Sequence, residues 1–574
     1  MNCRFRRPLC VAIAMMLTLA LPACGTNRIK SLSATSDRPF DSVLADLHER
    51  AFRFFWETAN PNNGLVPDRY PTPSFASIAA VGYALTAYPV GVEHAYITRE
   101  AARERVLTTL RFLYAAPQGP QTRGTAGYKG FFYHFLDLNT GERFGNVELS
   151  PADTALFLAG ALFCQSYFNR KNTEEVEIRA LVNALYSRVD WRWMQPRAPA
   201  IVVGWKPESG FIADDYHGYS EVMIMYLLAL GSPSFAVGPE AWGEWTSTYE
   251  RTWGHYFGQT YLHFPPLFGH QFTHVWVDFR NIQDDYMRAH GIDYFENSRR
   301  ATYAQRAYAI DNPLGCKDYG ESVWGITASD GPANVTVQQR VYRSYAARGI
   351  GGASAYDDCT LAPTAVAGSI PFAPEITIPT LLQMHRRYGQ RIYSRYGFLD
   401  SFNPSFDYDL PLRHGRRIPG FGWVDNDYLG VDQGPILAML ENYHTELIWR
   451  VMRKNPYLRR GLERAGFSGG WLADAQRRLE SRPASGGSPV PRGVGAGCAR
   501  GIQARSGARS QAHLRSSITG GWCGLGGSAG HPGPQERPHH DHYSAPEIGN
   551  LVAAVNRIAD SRGMHARTVL RLVA

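Results

Sequence analysis

Residues 128–160 read YKGFFYHFLDLNTGERFGNVELSPADTALFLAG. Aromatic residues alternate in the first part, and Asn139-Thr140-Gly141 follows them, so this part predicts a hairpin. The second part predicts a helix that begins at Ser150-Pro151, with serine as the N-cap and proline at the first helical position. Glu148 and Asp153 therefore stand where a loop enters an apolar helix. Asp153 suits both helix capping and acid–base chemistry, and the pattern leaves both roles open.

Composition limits the classes of protein that the chain can form. Of its 574 residues, 44% are hydrophobic and 13% aromatic, which is enough for one large core and for aromatic rings along a ligand groove. The formal net charge of +8 is concentrated near the two ends, and the middle of the chain is close to neutral. This distribution argues against a nucleic-acid-binding surface. The sequence also lacks the Walker and Rossmann motifs of nucleotide-binding sites.

The two ends of the chain differ from its middle. Residues 1–24 combine arginines with an apolar run and end in Leu21-Pro22-Ala23-Cys24, which resembles a lipoprotein signal peptide with lipid attachment at Cys24. We expect a periplasmic protein anchored to the outer membrane, and simple secretion is the alternative. Residues 25–39 predict a tether and residues 40–472 a folded domain. Residues 473–574 predict a disordered, low-complexity tail, whose composition is also typical of an out-of-frame translation.

Helical periods recur about twelve times between the tether and the tail. Helices that are apolar nearly all round alternate with amphipathic ones, which is typical of an inner and an outer layer. The predicted helices include 76–88, 153–168, 174–189, 219–230, 240–253, 280–290, 296–309, 375–388, 435–453 and 457–465. Long loops rich in aromatic residues, glycine and aspartate separate them, and such loops usually build a site. The pattern predicts an all-α fold, an (α/α)6 toroid with long loops and short β-hairpins that form a cleft at one end.

Three cysteines lie in the predicted domain. Cys164 falls in an apolar helix and is expected to be a buried small hydrophobic residue. Cys316 and Cys359 fall in long loops, where an oxidising compartment permits a disulfide, and the sequence leaves open whether they pair.

A series of motifs indicates a family. The series consists of GYKGFFYHFLD, ELSPADTALFLAGALF, GYSEVMIMYLLALGSP, LFGHQFTHVWVDFR, IDYFENSRRATYAQRAYA, YGESVWGITASDGP, SIPFAPE and WVDNDYLGVDQGPI. It resembles the bacterial glycoamylase-like domain family, which includes the endo-β-1,2-glucanases and a domain of the cyclic β-1,2-glucan synthases. The resemblance covers about residues 40–472. It implies an (α/α)6 fold, no metal or other cofactor, and inverting hydrolysis of β-1,2-glucan.

Glycoside hydrolysis needs one protonated carboxyl group and one ionised carboxylate. Glu221 is the first candidate, because it falls in the first turn of the predicted helix that Tyr219 opens, and the resemblance implies an essential acid in this Tyr-x-Glu motif. A carboxylate that only complements a helix dipole is the alternative. Asp153 and Glu148 are the leading partners of Glu221. Asp214, Asp215 and Asp432 compete with them, and spacing does not say which group is acid and which is base.

Residues that suit sugar binding are aromatic or polar and lie in or near the predicted loops. They are Tyr133, His134, Trp205, Asp214, Tyr219, His270, Trp276, Arg280, Glu321, Trp324, Trp423, Asp425, Asp427 and Asp432. Structural pairing is the alternative for each, and Asp432 is equally suited to capping a helix. His270, His274 and Asp278 have a spacing that metal ligands can show, but this segment lacks the catalytic glutamate of zinc proteases.

The sequence therefore predicts a glycoside hydrolase that cleaves glucan, most specifically an endo-acting, inverting β-1,2-glucanase. A polysaccharide lyase on the same fold and a non-catalytic periplasmic glucan-binding lipoprotein are the alternatives. The predicted partner is a glucan oligosaccharide or polysaccharide. Contact with a membrane is expected only through the lipid at Cys24.

Overall fold

A computed structural model describes residues 41–352 and 355–473 of the chain. The predicted signal peptide with Cys24, the tether and nearly all of the predicted tail lie outside the described residues. The domain boundaries at residues 40 and 472 therefore stay predictions.

The described part of the chain is mainly helical. It contains fifteen α-helices, which are α1 Ser42–Thr58, α2 Ile78–Glu93, α3 Arg99–Ala115, α4 Pro151–Tyr167, α5 Thr173–Ser187, α6 Met223–Gly231, α7 Glu240–Thr246, α8 Tyr249–Thr252, α9 Asp285–Ala289, α10 Tyr294–Asp311, α11 Pro363–Ala367, α12 Pro374–Tyr388, α13 Gly430–His444, α14 Leu447–Met452 and α15 Pro456–Arg464. Short 3-10 turns occur at Leu267–His270, Thr273–Val275 and Gly389–Arg391. None of the described helices is both long and apolar enough to cross a membrane.

Helices α2, α4 and α6 form the centre of the core, as their all-round apolar sequences predict. Nearly every residue of these three helices is buried. Helix α2 packs against α4 and α13, while the amphipathic helices α1, α3 and α5 pack outside them. Gly82 and Gly160 allow α2 and α4 to touch through their backbones, because a Cβ at Gly160 would stand 1.9 Å from the carbonyl oxygen of Gly82. Any larger residue there would force the two inner helices apart.

The strands are short, antiparallel and attached to loops. The paired strands are Arg69–Tyr70 with Tyr428–Leu429, Ala76–Ser77 with Phe135–Leu136, Gly127–Tyr128 with Phe131–Phe132, Trp205–Lys206 with Gly210–Phe211, Trp253–Tyr256 with Gln259–Leu262, Ile282–Gln283 with Ser468–Gly469, Ala328–Asp330 with Tyr345–Ala347, Val335–Val337 with Arg340–Tyr342, and Tyr393–Ser394 with Gly397–Phe398. Gly422–Val424 lies between Phe402–Asn403 and Arg416–Ile418 in a three-stranded sheet. The pair Arg69–Tyr70 with Tyr428–Leu429 joins the loops that precede α2 and α13.

Local sequence signals explain several boundaries. The hydroxyl of Ser150 accepts a hydrogen bond from the backbone N–H of Asp153 at the start of α4, and Thr98 caps α3 in the same way. The predicted hairpin after residue 128 is looser than expected. Phe135–Leu136 pairs with Ala76–Ser77, and one bridge between Leu136 and Arg143 closes the turn. A second bridge, between Tyr133 and Leu149, also joins the two arms, so the predicted local pairing is present and the tertiary pairing with Ala76–Ser77 is added to it.

Four predicted helices differ from the structure. Helix α6 begins at Met223 instead of residue 219. The helix predicted for 435–453 is divided between α13 and α14, where Glu446 adopts a left-handed φ of +57°. The helix predicted for 240–253 is likewise divided between α7 and α8, and only the short helix α9 forms within 280–290.

Cys316 and Cys359 form a disulfide, with their Cα atoms 5.4 Å apart. The bridge joins two long loops and answers the question that the sequence left open. Cys164 is buried in α4 as a free thiol, as expected.

Candidate active site

A pocket lies where the N-terminal ends of four helices meet. Ser77 precedes α2 and Glu221 precedes α6, while Asp153 and Asp432 lie in the first turns of α4 and α13. The pocket is open to solvent, and the empty space in and around its mouth amounts to about 930 Å³. Its lining residues are Asp68, Ser77, His134, Phe135, Ala152, Asp153, Leu156, Tyr216, Glu221, Val222, Phe268, Phe272, Ala328, Tyr345, Ala347, Val431 and Asp432.

Glu221 lies in the turn immediately before α6. The hydroxyl of Thr273 donates a hydrogen bond of 3.0 Å to its backbone carbonyl, which fixes the turn. Its Oε2 atom is buried and has no hydrogen-bond partner among the described residues. Burial, with a smaller contribution from the charge of Asp153, raises the pKa of Glu221 to about 7. This carboxyl group is therefore about half protonated at pH 7, whereas an exposed glutamate is almost fully ionised.

Asp153 combines the two roles that the sequence left open. Its backbone N–H donates to the Ser150 hydroxyl at 3.1 Å, and that hydroxyl lies 2.5 Å from Asp153 Oδ2. The side chain also lines the pocket. Burial raises the pKa of Asp153, while the positive charge of His134 and the Ser150 hydroxyl oppose this rise. Capping thus holds the carboxylate in place without removing it from the pocket.

His134 bridges two carboxylates. Its Nδ1 lies 2.8 Å from Glu148 Oε1, and its Nε2 lies 3.6 Å from Asp153 Oδ2. Burial lowers the pKa of His134, but Asp153 and Glu148 outweigh this effect and raise it to about 9. Burial alone would raise the pKa of Glu148, and the hydrogen bond from His134 lowers it overall. Glu148 is therefore an ionised partner of His134, placed behind the pocket wall.

Two further carboxyl groups, those of Asp68 and Asp432, line the same pocket. Asp432 lies in the first turn of α13, and its Oδ2 has no hydrogen-bond partner among the described residues. Burial and the neighbouring charge of Asp400 raise its pKa. Burial raises the pKa of Asp68 to about 6. Both groups favour the protonated form more than an exposed aspartate does.

The structure brings Glu221, Asp153, His134 and Asp432 together, but it places other predicted residues away from the pocket lining. Tyr133 is buried beneath Arg143, whose guanidinium lies 4.9 Å from the centre of its ring. Trp205 packs against Tyr128 and Trp193. Asp214 and Asp215 lie in the loop that precedes α6. Asp215 pairs with Arg197 at 2.7 Å.

Five predicted binding residues serve the interior or the surface instead. Trp276 is buried and donates to the hydroxyl of Thr86 at 3.0 Å, and Trp324 is buried as well. Tyr219 is buried with its hydroxyl 3.5 Å from that of Ser298. Arg280 binds Asp278 and Glu446, and Glu321 is an exposed partner of Arg306. Their aromatic and charged character reflects packing and ion pairing, which the sequence could not distinguish from sugar binding.

The structure of residues 423–427 differs from a further expectation. Trp423 was expected to offer its ring to a sugar beside Asp425 and Asp427, but it is fully buried and donates to the carbonyl of His414 at 2.8 Å. Asp425 and Asp427 are buried too, and Asp427 accepts a hydrogen bond from the backbone of Thr72. These acids lie behind the pocket rather than on its wall.

The metal spacing noted for His270, His274 and Asp278 has no counterpart in the structure. Two 3-10 turns replace the helix that this spacing requires. The ring of His270 hydrogen-bonds a backbone carbonyl, His274 contacts Ser298, and Asp278 is paired with arginines. Among the described residues, two other groups are close enough to share an ion, namely His48 with His94 and Glu441, and Asp330 with Asp400 and Asp425.

Sequence reasoning missed several lining residues. Asp68 stands in the segment LVPDRY, where an acid–base pair interrupts an otherwise apolar loop, and this interruption was the available signal. Tyr216, Phe272 and Tyr345 provide aromatic wall and come from separate segments. No spacing in the sequence links these residues, because only the packing of distant loops unites them.

The chain is similar in sequence and fold to several known proteins. The "Glycoamylase" family model matches residues 214–456. An exo β-1,2-glucooligosaccharide sophorohydrolase (non-reducing end) of Parabacteroides distasonis is 28% identical over 472 residues, which cover 76% of this chain. The chain spans 60% of the length of that relative.

Solved structures show the same similarity. The endo-β-1,2-glucanase of Chitinophaga pinensis, solved with sophorotriose and glucose, is 26% identical with a TM-score of 0.65, and the match covers 76% of this chain and 100% of that one. A β-1,2-glucanase from Parabacteroides distasonis is 26% identical with a TM-score of 0.64, over 75% of this chain and 60% of that one. These findings confirm the resemblance to the glycoamylase-like family that the motifs indicate.

Proposed function

We propose that this protein is a glycoside hydrolase that cleaves internal bonds of β-1,2-glucan, with inversion at the anomeric carbon. The observation that carries the proposal is a single pocket in which Glu221, about half protonated at pH 7, shares the wall with the carboxylate of Asp153. The relatives named above act on β-1,2-linked glucose chains. We further propose that the helices form an (α/α)6 toroid whose loops and hairpins build the cleft.

The charges of the pocket favour one assignment of roles. A general acid must hold a proton near the working pH, and the raised pKa of Glu221 meets this requirement. A general base must be ionised, and the protonated ring of His134 favours the ionised form of Asp153. In this mechanism Glu221 protonates the glycosidic oxygen, while Asp153 removes a proton from the attacking water, directly or through a substrate hydroxyl. Glu148 holds His134 in position.

Asp432 and Asp68 have a different role in this proposal. Burial raises the pKa values of all three pocket aspartates, and we place the base at Asp153 because His134 and the Ser150 hydroxyl oppose this rise there. As carboxyl groups on the pocket wall they can hydrogen-bond sugar hydroxyls, and Tyr345 and Phe272 can pack against the apolar faces of the sugar rings. Binding by Trp205, Asp214 and the other residues outside the pocket lining would require a longer cleft.

The test is hydrolysis of linear β-1,2-glucan by the purified chain. We expect reducing ends to appear and new products to carry the α-anomer first, as seen by proton NMR. Glu221→Gln and Asp153→Asn should remove turnover without unfolding the protein. Glu177→Gln is the matched control, because Glu177 is an ion-paired surface residue of α5. Normal turnover in both pocket variants would overturn the assignment of roles.

The same assay decides between the alternatives. Unsaturated products that absorb in the ultraviolet would identify a lyase. Oligosaccharide binding without any product, across a panel of glucan linkages, would identify a binding protein. Longer products without net release of reducing ends would identify a transglycosylase. A mixture of oligosaccharide lengths from long chains supports internal cleavage, whereas disaccharide alone supports exo action.

We also propose that the protein is a periplasmic lipoprotein attached to the outer membrane at Cys24. The proposal rests on the Leu21-Pro22-Ala23-Cys24 motif alone. Mass spectrometry of the N-terminal peptide from membranes should find a lipid-modified Cys24, and Cys24→Ser should release the protein into the soluble fraction. An unmodified protein in the periplasmic extract would contradict the proposal.

A further inference from the structure

Three buried aspartates meet behind the pocket. Asp330 ends the strand Ala328–Asp330, Asp400 follows the strand Gly397–Phe398, and Asp425 follows the strand Gly422–Val424. Each is at most 2% exposed. One oxygen from each of the three lies within 4.8 Å of the corresponding oxygens of the other two. Three separate loop segments therefore bring carboxylates to one point.

The protein satisfies only part of these carboxylates. Asp425 Oδ1 accepts a hydrogen bond of 2.6 Å from the backbone N–H of Asn426, but its Oδ2 is buried and accepts none from the described residues. Asp400 Oδ2 accepts hydrogen bonds from the Asp330 backbone and the Ser401 hydroxyl, while its Oδ1 has no donor among the described residues unless the neighbouring carboxyl group of Asp432 is protonated. A buried carboxylate oxygen without a donor is costly unless a cation or a proton compensates it.

The two buried arginines near these acids, Arg69 and Arg348, do not balance them, because Arg348 is already paired with Asp358 at 2.7 Å. Arg69 Nη1 donates to Asp330 Oδ2 at 2.6 Å and stands 3.6 Å from Asp427 Oδ2, and its Nε lies 3.7 Å from Asp68 Oδ2. A single guanidinium thus serves three carboxylates. Asp400, Asp425 and the adjacent Asp432 add further negative charge that Arg69 alone cannot neutralise.

We propose that Asp330, Asp400 and Asp425 bind a divalent cation of the calcium class. The candidate ligands are all hard carboxylate oxygens, which Ca²⁺ and Mg²⁺ prefer over the softer metals. Two oxygens on opposite sides of a Ca²⁺ ion lie up to about 5 Å apart, because each Ca–O distance is about 2.3–2.6 Å. Three oxygens that all lie within 4.8 Å of one another can therefore share one Ca²⁺ ion.

The cation would be structural. It would join the strand that carries Ala328, a residue of the pocket wall, to the segments around Asp400 and Asp425. The proposal goes beyond the proposed hydrolase activity, since the ion takes no part in the reaction. Neutralisation by protons is the alternative, because burial and mutual repulsion raise the pKa values of Asp400, Asp425 and Asp432.

The experiment uses the full chain, freed of metal with a chelator and then dialysed. We expect Ca²⁺ to raise the unfolding temperature by a few degrees at concentrations that saturate the site. Tb³⁺ should bind in place of Ca²⁺ and emit after excitation of tryptophan, because Trp423 is two residues from Asp425. Added Ca²⁺ should then displace Tb³⁺ and quench the emission.

Variants test whether the ion binds at these three aspartates and not at another acid of the protein. Asp425→Asn keeps the oxygen that accepts from Asn426 and should weaken Ca²⁺ binding about tenfold or more, and Asp400→Asn should act similarly. Asp284→Asn is the matched control, because Asp284 is a buried acid that binds Trp242 and Tyr294 elsewhere in the fold. The control should bind Ca²⁺ like the wild type.

Two results would overturn the proposal. One is an unfolding temperature that does not respond to Ca²⁺ after chelation, and the other is Tb³⁺ emission that is equal in all variants. Either result would leave protons as the compensating charge. If Asp425→Asn fails to fold, Asp400→Asn and the calcium content of the wild type, measured by mass spectrometry, decide the question. Because no readout uses a glucan, a failure here is distinct from a failure of the proposed hydrolysis.

Discussion

Buried acids lie at both ends of the layer of inner helices, at the pocket end and at the far end, and the two ends differ in how these acids are satisfied. At the far end, Glu441 of α13 accepts hydrogen bonds from His48, His94 and Thr445 at 3.2, 2.6 and 2.5 Å, so both of its oxygens are used. At the pocket end, one buried oxygen each of Glu221 and Asp432 has no partner among the described residues.

This difference separates stability from function. A buried carboxylate with a full set of donors stabilises the fold, and its pKa is lowered. Burial would raise the pKa of Glu441, but the hydrogen bonds from His48 and His94 lower it. A buried carboxyl group without donors costs stability and is retained where a ligand or a reaction needs it. Substitutions at the two ends should therefore affect different measurements.

The largest expected effect is the loss of catalysis in Glu221→Gln. We expect kcat for β-1,2-glucan to fall about 10³-fold or more, because the amide cannot donate a proton to the leaving oxygen. The free energy of unfolding at neutral pH should stay equal or rise, since the variant no longer buries an ionisable group. Steady-state kinetics and urea unfolding measure the two quantities. A variant that loses stability and keeps its kcat would reverse the comparison.

The opposite result is expected for Glu441→Gln at the far end. Removing this charge leaves His94 without its anion, and breaking a buried ion pair costs about 3–5 kcal/mol of unfolding free energy. The specific activity of the protein that remains folded should be unchanged. Urea unfolding at pH 7 and active-site titration check both statements. An intact unfolding midpoint would show that the histidine pairs contribute little.

The pH dependence sharpens the comparison further. The folded-state pKa of Glu221 lies near 7, above its unfolded value, so its contribution to stability is present at low pH and is lost as pH rises through about 7. Glu441 has a lowered pKa, so its contribution is present at neutral pH and is lost in acid. Turnover should fall above about pH 7 as Glu221 ionises.

Glu221→Gln supplies the check on this pH dependence. Between pH 5 and pH 8 the variant should gain up to about 3 kcal/mol of unfolding free energy relative to the wild type. Urea unfolding at both pH values and a kcat/KM profile of the wild type test the statement. If the difference in unfolding free energy between the variant and the wild type is the same at both pH values, a group other than Glu221 causes the fall in turnover above pH 7.

The sequence predicted those features that depend on neighbouring residues. Ser150 and Thr98 cap their helices as predicted, and the inner helices are buried as their apolar sequences require. Glu221 was found through the motif that surrounds it. Asp68 was missed, and Trp423 was assigned to sugar binding although it is buried. Both errors concern segments between the helices. Which of their residues are exposed depends on which distant segments pack against them, and no local sequence pattern encodes this packing.

The smallest expected effect compares two helix caps. Ser150→Ala and Thr98→Ala each remove one hydrogen bond at a helix start, and each should cost about 1 kcal/mol of unfolding free energy. The surroundings of the two caps differ. The Ser150 hydroxyl also contacts the carboxylate of Asp153 in the pocket. Thr98 lies away from the pocket, four residues after His94. Without that contact the pKa of Asp153 rises, so Ser150→Ala should lower turnover several-fold near the acidic limit. Thr98→Ala should leave turnover unchanged, and equal turnover in both variants would show that the cap does not tune the pocket.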